Sequence, residues 1–258
     1  VGSEMCIRDS LNGTTNFILT KMIEDGMTFE DALKLAQDNG YAEKDPTADI
    51  EGFDACRKVC ILASLAFGKH VYPNQVDTEG ITNITLEDVS YIQSANGVIK
   101  LLGQIKYISD DKIAAFVSPA VVFNGSQLAS VSGVFNAILV RGDAVGDVCF
   151  YGQGAGKLAT ASAVVADMVD CAVHVNKRKN FGWGPGSESY VVDEKSELEM
   201  PFYVRAKSSE SKVKAIFNDV KFLTRVGQPS NEIAFITDAM TQVELEKKLD
   251  GVDVINKI

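Results

Sequence analysis

The chain has 258 residues, 46% hydrophobic and 23% charged, which suits one large or two modest domains with their own cores and argues against a disordered tail. Thirty-five acidic against 25 basic residues give a formal charge of −10, a surface that repels phosphate backbones and anionic lipid, so no nucleic acid and no membrane is expected as a partner. No apolar run nears the roughly 18 residues that cross a bilayer. Five cysteines without C-x-x-C spacing, with only His70 and His174 beside them, suggest no metal site and fit a reducing, cytoplasmic setting.

Residues 1–10 (VGSEMCIRDS) show no helical or strand period and do not lead into Leu11; they look like translated sequencing adapter and read as a non-native leader outside the fold. The turn cluster Asn12-Gly13-Thr14-Thr15-Asn16 opens a short helix through Phe17, Leu19 and Met22 that stops at Gly26, its first turn exposing free backbone N–H groups. Thr28-Phe29-Glu30-Asp31 starts a second helix in capping-box style, closing at Asn39-Gly40. A polar loop over 41–49 precedes a third helix over about 50–67. Strands are expected over 98–108, 113–122, 135–141 and 144–151, separated by turn signals such as Asn124-Gly125. A helix over 159–174, small and apolar, reads as buried, and the acidic stretch to Glu199 reads as a linker. After Met200 the order is βαββαβ, a small open sheet with two helices on one face. The expected class is α/β in the α+β sense: a mixed sheet with helices on one face, then a small βαββαβ domain.

The densest chemical signal is Gly40-Tyr41-Ala42-Glu43-Lys44-Asp45-Pro46-Thr47-Ala48-Asp49, followed by Glu51, Asp54, Arg57 and Lys58. At 100° per residue Asp54, Lys58, Ile61 and Leu65 share one helix face, which starts ionic and turns apolar, so Lys58 is expected at the edge of a core helix with Asp54 as its charge partner. A lysine so placed can give a proton to an oxygen that becomes anionic as hydride reaches carbon. Glu43 and Asp49 can accept from a substrate ammonium. An i,i+4 surface salt bridge beside a solvated loop fits the same spacing. Gly152-Gln153-Gly154-Ala155-Gly156 sits between strand and helix, where backbone can approach a phosphate or nicotinamide, yet it lacks the full G-x-G-x-x-G pattern. A tight turn for close packing explains it equally. Asn12-Gly13-Thr14 can cap a helix or hold a carboxylate.

Taken together these motifs resemble homoserine dehydrogenase. The likeness rests on Leu11-Asn12-Gly13-Thr14-Thr15-Asn16, on Gly40 to Pro46, on Asp49 through Lys58, on Gly152 to Gly156 and on Thr160-Ala161-Ser162-Ala163-Val164-Val165-Ala166-Asp167. It implies interconversion of aspartate 4-semialdehyde and homoserine with NADP or NAD. It further implies Lys58 as proton donor, with Asp54 also catalytic. Glu43 and Asp54 would hold the amino-acid substrate, Asp49 would support them, and Tyr41 and Thr14 would line the site. Gly40 and Gly156 would approach the cofactor, and a homodimer or homotetramer is implied. The family's nucleotide-binding domain has no counterpart here, so this chain alone is expected to oxidise NAD(P)H negligibly. The expected division is a leader over 1–10, a catalytic and dimerisation domain over 11–193, and an ACT-like regulatory domain over 198–258. That last domain is a possible amino-acid effector site, although Ser208-Ser209-Glu210-Ser211 stands where a D-x-P-G loop is usual. The competing reading is a non-catalytic amino-acid-binding or assembly module built on the C-terminal sheet; it requires Glu43, Asp54 and Lys58 to lie apart and face solvent.

Overall fold

The computed structural model describes residues 5–154, 156–177 and 182–258. Its chain order begins with strand β1 (Cys6–Ser10), then helices α1 (Gly13–Asp25), α2 (Phe29–Asp38), α3 (Thr47–Ile50) and α4 (Phe53–Phe67). Strand β2 (Asp77–Thr78) and helix α5 (Leu86–Ser94) lead to the long strands β3 (Gly97–Ser109) and β4 (Lys112–Phe123). Strands β5 (Phe135–Gly142) and β6 (Gly146–Gln153) and helix α6 (Lys157–Val173) complete the larger unit. A short α7 (Glu194–Glu197) precedes the tail: β7 (Tyr203–Lys207), α8 (Glu210–Ile216), β8 (Val220–Leu223), β9 (Glu232–Thr237), α9 (Gln242–Lys248) and β10 (Asp253–Lys257).

The larger sheet has six strands in the order β2-β4-β3-β1-β5-β6. All its pairs are antiparallel except β2 with β4, which makes it mixed as expected. Alternate residues of β3 and β4, such as Ile99, Ile105, Ala115 and Val117, meet Ile18, Val59, Ala63 and Ile92 from α1, α4 and α5 in one core. The opposite face carries a smaller cluster of Leu102, Val122, Leu128 and Leu139. The tail forms a four-stranded antiparallel sheet, β10-β7-β9-β8, whose Val204 and Phe235 pack against Val213, Phe217, Leu245 and Leu249 from α8 and α9. The βαββαβ order read from the sequence is the order found.

Four expectations are corrected. Cys6–Ser10 do not stand outside the fold: they fill the slot between β3 and β5 and bury Ile7, Asp9 and Ser10. Five residues whose buried positions include an acid and a serine carry no alternation, and neighbouring strands supply the ladder that makes the segment a strand. The third helix is two, because Gly52 takes a left-handed φ of 82° and fits against Thr78 and Glu79. α6 is exposed rather than buried, with Val164, Val165, Met168 and Val169 open to solvent. Small apolar composition marks a packing surface but not what covers it. The acidic stretch is pinned rather than a free linker: Gly184 pairs with Lys69, Val191 with Ile113, and Tyr190 and Glu194 are buried.

Candidate active site

Asn12 organises the site. Its backbone is extended, and its Oδ1 accepts from the Thr15 amide at 2.8 Å, capping α1. The same side chain turns its Nδ2 outward, donating to Asp49 Oδ1 at 2.6 Å and to Asp54 Oδ2 at 2.8 Å. One amide therefore caps a helix and ties together two carboxylates from α3 and α4. Lys58, one turn beyond Asp54, donates to Asp54 Oδ2 at 2.7 Å and to the Leu11 carbonyl at 2.9 Å. An ammonium has three N–H donors, so one remains for a further acceptor.

These groups face a cavity of about 360 Å³ lined by Leu11, Asn12, Gly13, Thr14, Tyr41, Glu43, Asp49, Asp54, Lys58, Asn136 and Gly154, among others. Thr14 donates through Oγ1 to the Tyr41 carbonyl at 2.7 Å, fastening the polar loop to α1, and the Tyr41 ring packs 5.0 Å from that of Phe17. The opposite wall is fixed by Asn16, whose Nδ2 donates to the carbonyls of Val131, Gly133 and Phe135, while Thr20 Oγ1 accepts from the Gly133 amide. Lys100 adds a bond to Asn16 Oδ1 from a buried position, and burial depresses its ammonium to about 8.

Glu43, Asp49, Asp54, Lys58, Tyr41 and Thr14 are thus brought to one cavity. Gly40 and Gly156 do not line it: Gly40 ends α2 with a φ of 73°, and Gly156 precedes α6 with a φ of 104°. Gly154 reaches the wall instead. The expected face of Asp54, Lys58, Ile61 and Leu65 exists but looks outward, with Ile61 and Leu65 about half exposed, while Ala55, Cys56, Val59, Cys60 and Ala63 form the buried side. Sequence reasoning missed Val134, just before β5, and Asn136, its second residue, which lie more than seventy residues from the other wall. Their only local signal was the turn before Phe135. Among the described residues no His/Cys/Asp/Glu group is arranged to hold a metal, and no helix is long and apolar enough to cross a membrane.

The sequence model of the homoserine dehydrogenase family matches residues 5–169. The chain belongs to that family. Homoserine dehydrogenase from Bacillus subtilis is 47% identical over 168 residues, 65% of this chain and 38% of the relative. The crystal structure of Staphylococcus aureus homoserine dehydrogenase superposes with a TM-score of 0.81 at 35% identity, covering 99% of this chain and 65% of that one. A hyperthermophilic archaeal homoserine dehydrogenase mutant, solved in complex with NADPH, matches with a TM-score of 0.52 at 31% identity, over 66% of this chain and 48% of that one. The chain therefore spans well under half of the curated Bacillus relative. Residues 5–10, expected outside the fold, lie inside the family match.

Proposed function

We propose that this chain is the substrate-binding part of a homoserine dehydrogenase, interconverting aspartate 4-semialdehyde and homoserine. The observation that carries the reading is Lys58: an ammonium anchored by Asp54 and the Leu11 carbonyl, with its third N–H left for a carbonyl oxygen at the cavity. Bound NADPH or NADH would supply the hydride to the aldehyde carbon and leave as the oxidised cofactor; Lys58 donates a proton to the carbonyl oxygen as negative charge develops on it, and the product is the alcohol. Asp54 holds and aims the Lys58 amine through their 2.7 Å hydrogen bond. Glu43 and Asp49 accept from the substrate ammonium, and the first-turn amides of α1 receive its carboxylate. Tyr41 and Thr14 close the cavity's edge.

The glycine loop supports close approach of a cofactor. A side chain at Gly154 would fall on the Asn136 amide, while Gly40 and Gly156 hold positive φ with open space beside them. These residues suit the nicotinamide end; the remainder of a dinucleotide needs a G-x-G-x-x-G unit that this sequence lacks. A homodimer or homotetramer is the proposed assembly, supported by the exposed Phe150, Tyr151, Val164 and Met168. We further propose the C-terminal sheet as an ACT-like unit able to take an amino-acid effector. The reading as a non-catalytic module needs Glu43, Asp54 and Lys58 scattered in solvent, and their shared cavity speaks against it.

The test is a chimera joining this chain to the N-terminal part of the Bacillus subtilis relative. It is expected to reduce aspartate 4-semialdehyde with NADPH or NADH, and Lys58→Ala to lower turnover about 10²–10⁴-fold. A loss under tenfold removes Lys58 from the proton-donor role.

A further inference from the structure

Asn136 stands second in β5, opposite Gly152 of β6, and its side chain reaches into the wall of the cavity between two glycines. On one side is Gly13, the first residue of α1: a Cβ there would lie 3.2 Å from the Val134 carbonyl and 3.7 Å from Asn136 Oδ1. On the other is Gly154, where a Cβ would fall on Asn136 Nδ2. At Gly154 it is the Asn136 amide that leaves no room for a side chain, and at Gly13 the Val134 carbonyl is the tighter neighbour. The backbone before it is held by Asn16 and Thr20, so the amide is carried on a fixed support rather than a loose loop. Yet Asn136 Oδ1 is buried and has no hydrogen-bond partner among the described residues. An orphaned acceptor costs about 1–3 kcal/mol, and one kept at the wall of a polar cavity calls for a donor from a ligand.

Which donor it awaits follows from where it sits. The Asn136 oxygen is next to the first turn of α1, whose amides suit a carboxylate. In an α-amino acid the ammonium is bonded to the carbon that carries the carboxylate. An acceptor beside the carboxylate's seat therefore meets the ammonium. We propose that Asn136 is a further substrate-specificity residue, its side-chain oxygen accepting a hydrogen bond from the α-ammonium of the amino-acid substrate. This rests on the reading of the cavity as a homoserine site. Asn136 would distinguish an α-amino acid from a hydroxy acid of the same length, alongside the charged acceptors across the cavity.

The experiment is calorimetric titration of the whole chain with L-homoserine. The unaltered chain should bind saturably. Asn136→Ala should weaken binding on the order of tenfold, the scale of one hydrogen bond to a charged group. Asn136→Asp keeps an acceptor of the same shape and should stay within about twofold of the parent or bind more tightly. Gly154→Ala, which displaces the amide without removing it, should weaken binding like Asn136→Ala, and circular dichroism checks that each variant is folded. Binding by Asn136→Ala equal to the parent, or Asn136→Asp as weak as Asn136→Ala, overturns the role of Asn136 while leaving the homoserine site in place. No binding by the unaltered chain removes the homoserine site itself, and this inference with it.

Discussion

Asp54 with Lys58 at the cavity, and Asp88 with Arg205 between α5 and the C-terminal sheet, are both acid–base pairs within 3.2 Å, but water treats them differently. Lys58 and Asp54 keep 41% and 32% of their side chains exposed, and Lys58 has an N–H to spare. Asp88 is fully buried and crowded with donors: Tyr203 Oη at 2.9 Å, Asn256 Nδ2 at 2.8 Å, the amide and hydroxyl of Thr85, and Arg205 beside it. Asp88 raises the Tyr203 hydroxyl's pKa further in a site whose burial already pushes it up. A second tie nearby joins Tyr91 of α5 to Glu232 of β9, with Arg225 paired to Glu232 at 2.9 Å and lying over the Tyr91 ring. A cluster with every acceptor filled holds parts of a protein together; a cluster with one donor left open can act on something else.

The comparison breaks most visibly if the two lysine and aspartate deletions give the same phenotype. Lys58→Ala should lower turnover in the chimera about 10²–10⁴-fold while shifting urea stability by no more than about 1 kcal/mol, as for other exposed pairs. Asp88→Ala should do the reverse, costing about 3–5 kcal/mol of stability because it removes the buried partner of Arg205 and leaves only the half-exposed Glu87 at 3.7 Å. If Asp88→Ala unfolds in urea like the parent, Asp88 does not brace the junction between α5 and the C-terminal sheet.

Asp9 sharpens the contrast as a buried acid of the opposite kind. It faces Gly103 across the strand pair, and burial pushes its carboxyl up to about 8 although the charge of Lys58 and nearby amides of Gly103 and Leu11 oppose the shift. Neither oxygen makes a hydrogen bond of good geometry among the described residues. Because the folded state holds this proton and the unfolded chain releases it near pH 4, stability should fall as pH rises from about 4 to about 8. Asp9→Ala should flatten that slope and add about 1–3 kcal/mol above pH 8. An unchanged slope means that Asp9 is not buried in solution. Smallest of all, Lys34→Ala, which breaks the exposed Lys34–Asp38 pair, should change stability by less than about 0.5 kcal/mol in thermal unfolding.

Local chemistry was legible and long-range pairing was not. Thr28 and Gly26 mark the boundary between α1 and α2 in the sequence because a cap and a left-handed stop act within a few residues. The four long strands announce themselves by alternation and turns. Tyr41, Glu43, Asp49, Asp54 and Lys58 were readable because they lie within eighteen residues of one another. Val134 and Asn136 were not, since the β1–β5 pairing that brings their wall to α1 leaves no trace in either segment alone. β1 itself was invisible for the same reason. The helix α6 shows the converse error, an apolar sequence taken as evidence of a cover. The helix α5, with its Thr85 and Asp88 capping box, was overlooked although its local signal was present.

The central claim is that acids and an ammonium from separate elements surround one small amino acid. It is tested most directly by titrating the isotopically labelled chain with L-homoserine and following backbone amide resonances. Saturable shifts are expected at Asn12, Thr14, Glu43, Asp54 and Lys58 together, with the strands of the C-terminal sheet unmoved. Shifts confined to β7 and β9, or none at the cavity, would contradict it.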